Sequence, residues 1–224
     1  MFNWNIAYMS APPSALISLR PPTFLVKRVQ YLGNVGDPYG SNIIEVSAEA
    51  ANQYKYVVRF EAPNNGQSWT VAIWNSLTPD GRLGGWLGNA CRTFTLGRGQ
   101  VRYIAFDDDS HGGWAAAPGS SIPVDGGGRY AATWGEFNFG SVINFGRSAF
   151  VVSTIAAEKA GLEVQGMRIC DVRTDTCSSV DARNTAVHNA YTITTAGNAK
   201  MGGTILPGPA RLAVSIGYHG FSMP

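Results

Sequence analysis

The chain has 224 residues, with 27 glycines, 12 prolines and only 14% charged residues, against roughly a quarter in an average globular protein. Its 45% hydrophobic and 11% aromatic content excludes intrinsic disorder, which requires a polar, aromatic-poor chain, and suffices for one sizeable core. A net charge of +2 gives no basic footprint for nucleic acid, and no run approaches the roughly 18 apolar residues of a membrane helix.

Residues 1–30 read as an extended lead-in and residues 31–224 as a single domain. Met1–Arg20 has no early Lys or Arg, and Asn3, Asn5, Ser10, Pro12 and Pro13 break its apolar residues. A secretory signal needs a basic start and then roughly 7–15 apolar residues, so none is expected here. The chain holds no Asn-x-Ser/Thr acceptor, which argues against a secreted glycoprotein.

From Tyr31 onward helical periodicity is scarce and period-two alternation is common. Ser47 is placed to cap a short helix over Ala48–Tyr54, and Tyr56–Glu61 follows as a strand. In Trp69–Trp74, Trp69, Val71 and Ile73 share one face, and Thr70, Ala72 and Trp74 the other. Arg92–Leu96 alternates polar and apolar residues, and Val101–Phe106, Tyr130–Phe139 and Ala149–Ser153 are further strands. Thr154 caps a helix over Ile155–Ala160 that Gly161 ends. Glu163–Cys170 is a strand, Asp181 caps a third helix over Ala182–Asn189, and Ala190–Thr194 and Leu212–Tyr218 complete the strands. Turn residues separate them, among them Pro63-Asn64-Asn65-Gly66, Pro79-Asp80-Gly81 and Asp125 to Gly128. No strand alternates with a long helix, so the expected fold is all-β: a two-sheet β-sandwich with short connecting helices.

Three cysteines cannot form a full disulfide framework, and zinc-type CxxC spacings are missing. Cys170 and Cys177 flank a polar stretch, Asp171–Thr176, which suits a hairpin clipped by one bridge if the compartment is oxidising. Cys91 reads as a buried small hydrophobe. A catalytic thiolate would need a basic or histidine neighbour, and Arg92, adjacent along a strand, points the other way.

The blocks YLGNVGDPYGSNIIEVS (Tyr31–Ser47), WTVAIWNSLTPDGRLGGWLGN (Trp69–Asn89), YIAFDDDSHGGWAA (Tyr103–Ala116), TWGEFNF (Thr133–Phe139), EVQGMRIC (Glu163–Cys170) and LPGPARLAVSIGY (Leu206–Tyr218) stand in a family order. They resemble the fungal allergen family typified by Aspergillus allergen four, from about Tyr31 to Tyr218. That resemblance implies a secreted or cell-wall protein without an established biochemical activity. Cys170 and Cys177 match the family's cysteine pair, and Cys91 does not. Family members begin with a secretion signal and a long biased leader, which this chain does not show, so an intracellular location is also open. TWGEFNF followed by SAFVVSTI (Ser148–Ile155) is similar to the core of thaumatin-like proteins, two-sheet sandwiches with an acidic cleft. This second resemblance places Arg129 and Glu136 where that cleft's Arg and Glu would be. Where the family motif reads WSGWDVS, this chain has RSAFVVS (Arg147–Ser153), and the acid expected near Val151 is absent.

Asp107-Asp108-Asp109-Ser110-His111-Gly112 is the densest polar cluster. Asp107, Asp109 and His111 alternate before Gly112 as in the opening of a calcium loop, but Pro118 stands where that loop needs its bidentate Glu. The cluster therefore reads as a solvated turn ending a strand or as the polar rim of a ligand cleft, with Arg102 and Arg129 as counter-charges. Glu136 shares a strand face with Trp134 and Asn138. A buried carboxylate needs a partner, so Glu136 is either in a structural ion pair with an Arg or, in a cleft, the best candidate acid, base or orienting group. Trp86 and Trp114 sit in Gly-rich loops, GGWLG and GGWAA, and either plug the end of the core or offer a ring face and one N–H to an apolar or sugar ligand. His111, His188 and His219 form no metal spacing, no Ser lies in a GxSxG context, and Gly126–Gly128 lacks the Lys-Ser/Thr of a phosphate loop.

The candidate site is thus Glu136, Asp109 and His111 for chemistry and Trp86, Trp114, Arg129, Trp134 and Asp107 for ligand contact, with no metal and no cofactor. The expected function is non-catalytic binding of a small apolar molecule or a glycan by an allergen-like fungal protein, with neither nucleic acid nor membrane as partner. One alternative is a cofactor-independent cyclase or cycloaddition catalyst that positions apolar secondary metabolites in an aromatic-lined pocket. A second is a thaumatin-like glycan hydrolase, which would need two facing carboxylates.

Overall fold

The computed structural model describes residues 31, 33–198 and 200–220, and the lead-in over residues 1–30 lies outside them. In chain order the strands are β1 (Ile43–Val46), β2 (Tyr56–Glu61), β3 (Trp69–Asn75), β4 (Arg92–Leu96), β5 (Val101–Phe106), β6 (Ser110–Pro118) and β7 (Thr133–Ser141). They continue with β8 (Arg147–Ser153), β9 (Met167–Asp171), β10 (Cys177–Val180), β11 (Val187–His188), β12 (Gly203–Ile205) and β13 (Ala210–Ile216). A seven-stranded sheet has the order β1-β5-β2-β13-β9-β10-β11, and a six-stranded sheet the order β12-β8-β7-β6-β3-β4. The ladder between β2 and β13 is parallel, and the remaining ladders are antiparallel.

The chain is an all-β sandwich because alternation sends one row of each strand into the space between the sheets. Phe60 of the first sheet meets Trp114 of the second at 5.1 Å between centroids, Phe106 meets Phe137 at 4.8 Å, and Tyr56 meets Phe139 at 5.4 Å. Where β6 and β7 pair, Trp114 lies opposite Gly135, and a Cβ at that glycine would stand 2.3 Å from the indole. The missing side chain of Gly135 is the space the ring occupies.

Cys170 and Cys177 are register partners on β9 and β10 and form the disulfide that clips this hairpin. Cys91 is free and half-buried, and burial raises its pKa.

Several expected elements come out differently. Over Ala48–Tyr54 only the 3-10 turn Ala51–Gln53 forms, although Ser47 Oγ does accept the Ala50 N–H at 3.2 Å. The helix expected over Ile155–Ala160 is present as α1 (Ile155–Lys159) with Gly161 following at φ 67°, but the Thr154 hydroxyl makes no backbone cap and donates instead to the Glu158 carboxylate. The helix expected over Ala182–Asn189 is absent. Asp181 Oδ1 instead accepts the Thr185 and Ala186 N–H groups at 2.6 and 2.8 Å, which closes a loop that returns Val187–His188 to pair with β10. Ala190–Thr194 is no strand; only Tyr191 bridges, to Ser153. Residues 110–118, read as a turn and a Gly-rich loop, form the nine-residue strand β6.

Candidate functional site

The six-stranded sheet buries its second face too. Ala72, Trp74, Ala115, Ala117, Ile122, Tyr130, Ala132 and Trp134 form an apolar cluster there, separate from the core between the sheets. Small residues on β6 leave room for two indoles. Trp74 and Trp134 meet edge-on at 4.8 Å, Tyr130 stacks on Trp74 at 5.4 Å, and Trp134 Nε1 donates to the Tyr130 carbonyl at 2.9 Å. Gly85 crosses directly over them, since a Cβ there would stand 2.7 Å from Trp134 and 3.3 Å from Trp74. At φ 83° this position also favours glycine.

Glu136 stands in this setting. The registers align Trp74, Gly113, Glu136 and Val151 in one row across β3, β6, β7 and β8. Gly113 has no side chain, so nothing on β6 separates Glu136 from Trp74. Glu136 is only 7% exposed, and no hydrogen bond or ion pair joins its carboxyl to another described residue. Arg129 is its nearest electrostatic support. The guanidinium lies over Trp134 at 4.4 Å, a cation–π contact, and acts on Glu136 through space. Burial pushes Glu136 up to about 7, and Arg129 opposes that shift only in part. The expected structural ion pair with an arginine is therefore not formed.

Two loops rim the cluster. Trp86 is half-buried and bridges to Arg129, while Leu83, Leu87 and Val124 are 57%, 67% and 39% exposed. Trp114 does not belong to this rim. It lies on β6 with no exposed surface, facing the core between the sheets, so its role is packing.

The Asp107–His111 cluster falls partly beside this face. His111 opposes Asn138 in register, and Gly113 opposes Glu136, which makes His111 a diagonal neighbour of Glu136 on the outer face. Burial lowers the His111 pKa, against the pull of Asp109 at 3.2 Å. The three acids diverge rather than converge. Asp108 is held by Lys55 at 2.6 Å and by the Tyr56 hydroxyl at 2.7 Å. Asp109 accepts from the Val142 N–H at 2.9 Å and from the Tyr31 hydroxyl, and contacts His111. Asp107 is exposed and not part of the Glu136 face. The counter-charge is Lys55; Arg102 pairs with Glu45 and Arg129 lies on Trp134. Among the described residues no group of three or more His, Cys, Asp or Glu is placed to hold a metal ion.

The sequence pattern pointed to Glu136, Trp134, Arg129 and Trp86, and the fold brings these four together. It missed Trp74 and Tyr130. The available signal was the apolar character of both faces of Trp69–Trp74, which marks a sheet covered on two sides.

The solved structure of the protein elicitor MoHrip2 from Magnaporthe oryzae is similar, with a TM-score of 0.45 and 13% identity over 72% of this chain and 98% of that one. Allergen Asp f 4 from Aspergillus fumigatus is 48% identical over 188 residues, 84% of this chain. The chain spans 58% of that relative's length. The Allergen Asp f 4-like domain matches residues 41–216, nearly the whole described region, and the chain belongs to the Allergen Asp f 4-like family.

Proposed function

We propose that this allergen-like protein is a non-catalytic binding protein that takes a small apolar molecule or a glycan on the outer face of its six-stranded sheet. The observation that carries this reading is the Glu136 carboxyl, buried beside two indoles without a polar partner among the described residues. Burial among aromatic rings strips this carboxyl of much of its hydration, and a ligand that hydrogen-bonds to it offsets that cost. The half-buried Trp86 and the exposed Leu83 and Leu87 supply an apolar rim for the rest of such a ligand. A secreted or cell-wall location belongs to the same reading; the Cys170–Cys177 disulfide, favoured in oxidising compartments, supports it.

Titration with p-nitrophenyl glucoside, which joins a flat apolar ring to a sugar, followed by tryptophan fluorescence, tests the site. Saturable quenching is expected, weakened about tenfold in Glu136→Gln and more in Trp86→Ala. Equal affinity in wild type and both variants, or no saturation at all, overturns the reading.

A second reading rests on the position of Glu136 near neutrality. Half-protonated at about pH 7, it is able to exchange a proton with a bound apolar substrate, as a cofactor-independent cyclase requires. Glycan hydrolysis lacks comparable support, because Val151 stands directly across from Glu136 where a second carboxylate would be needed.

A further inference from the structure

We propose a second binding site, for a neutral saccharide, in a polar cleft where β2 and β13 end. It shares no residue with the outer-face site and does not depend on it. Glu61 and Ser215 are partners on the last rung of the parallel β2–β13 ladder, so their side chains stand side by side on the outer face of the seven-stranded sheet. The turns carrying Asn64 and Arg98 wall off an open-mouthed cleft of about 590 Å³, within the roughly 300–1,000 Å³ of small-molecule sites. Gly217 lines its base at φ 63°, and a Cβ there would meet Trp69 Cζ2 at 2.6 Å. Gly217 thus separates the cleft from the edge of the buried Trp69 indole packed behind it. The same edge carries Nε1–H, a buried donor without a partner among the described residues.

The polar groups of the cleft suit hydroxyls. Arg98 Nε donates to Asn64 Oδ1 at 2.5 Å, which leaves the terminal guanidinium N–H groups and the Asn64 Nδ2 amide as donors. Arg59 takes Glu61 Oε2 at 2.7 Å and leaves Oε1 as an acceptor. The Ser215 hydroxyl serves as either. Arg59 and Glu61 balance one another, so among the described residues of the cleft Arg98 carries the uncompensated charge. A phosphate or carboxylate ligand would face Glu61, and an ammonium ligand would face Arg98. A neutral sugar faces neither penalty. Each of its hydroxyls both donates and accepts, and Tyr218, whose ring also faces the Arg168 guanidinium at 5.9 Å, is among the residues that line the cleft.

The test uses the full ¹⁵N-labelled chain and three saccharides, cellotetraose, laminaritetraose and chitotetraose, followed by amide and indole N–H shifts. At least one saccharide is expected to move residues 61–64, 98–99 and 215–218 and the Trp69 indole N–H in a saturable way. Arg98→Ala and Asn64→Ala, both at exposed positions, are each expected to weaken that binding about tenfold, while Glu136→Gln leaves it unchanged. No saturable shift with any of the three overturns the proposal. So does unchanged affinity in both cleft variants, or shifts confined to Trp86, Arg129 and Trp134, a result that would leave the outer-face reading standing.

Discussion

A carboxyl group moved from water to the edge of two indoles loses most of its hydration, and for Glu136 only the guanidinium of Arg129 compensates in part. Its proton is held up to about pH 7 in the folded chain, against an ordinary value of 4.5. Below about pH 4.5 both folded and unfolded chains carry the proton, and the full stability is present. Between about 4.5 and 7 the unfolded chain has released it and the folded chain has not, so native stability falls as pH rises through that window. Integrated over the window, the loss is roughly 3 kcal/mol. Glu136→Gln keeps the shape and removes the titration. The variant is therefore expected to match wild type near pH 4 and to exceed it by roughly 3 kcal/mol near pH 8, read by urea denaturation at both values. An equal difference at the two pH values would mean that Glu136 is ionised throughout and solvated in a way the geometry does not show. The same proton connects stability with binding, because a ligand that donates to Glu136 favours its charged form.

At the scale of elements, the turn between β5 and β6 is tied to the turn between β7 and β8 through one residue. Asp109 sits at φ 64°, its N–H donates to the Phe139 carbonyl at 2.7 Å, and its carbonyl accepts the Asn34 N–H at 2.8 Å. Its carboxylate holds the Val142 N–H at 2.9 Å, at the start of a turn that leaves Val142 and Phe145 67% and 86% exposed. Asn tolerates the left-handed region and keeps an acceptor for Val142; Ala does neither. Asp109→Ala is expected to cost about 2–3 kcal/mol and Asp109→Asn about 1 kcal/mol, with hydrogen exchange over residues 141–146 accelerated in the Ala variant. Equal cost of the two substitutions would rule out both the backbone and the acceptor argument. Asp109 thus acts as a joint, although the sequence pattern put it with the catalytic candidates. Strands β2, β4 and β5 were legible residue for residue, β4 by its clean alternation and β2 and β5 as short runs rich in Val, Tyr, Ile and Phe. Strand β6 was not, since its acidic start and Gly112-Gly113 carry turn signals. In the fold Gly112 answers to a close approach, because a Cβ there would stand 2.0 Å from the Trp74 carbonyl oxygen. Misreading β6 also turned Trp114 into a loop residue. Glu136 was conspicuous as a lone acid among aromatics, but its place in one row with Gly113 and Trp74 follows from sheet register, which no local pattern encodes.

Across the whole molecule, low charge puts the burden of stability on packing. The Lys and Arg ion pairs, such as Lys55–Asp108 and Arg102–Glu45, join side chains that are 36–84% exposed, and such pairs contribute at most about 1 kcal/mol each. The core is instead closed by strands far apart in sequence. β13 lies inside the seven-stranded sheet between β2 and β9, pairing Tyr56 with Ala210 and Met167 with Ile216. Its inward residues Ala210, Leu212, Val214 and Ile216 are all at most 2% exposed. Without β13 the pair β2–β5 and the hairpin β9–β10 share no neighbour, and each would show an unpaired edge above an open core. Small strand units of that kind are marginal in water unless a further layer or strand completes them. A chain ending after Tyr218 keeps β13 and the contacts of Tyr218 with Gly166 and Ala182. It is expected to melt in one cooperative transition with native near-ultraviolet circular dichroism. A chain ending after Pro209 differs by only the last strand and its exit, and is expected to show neither signal. If the shorter chain still melted cooperatively, the six-stranded sheet and its second apolar face would have to hold a fold of their own, and the outer-face site would survive without the opposite half of the sandwich.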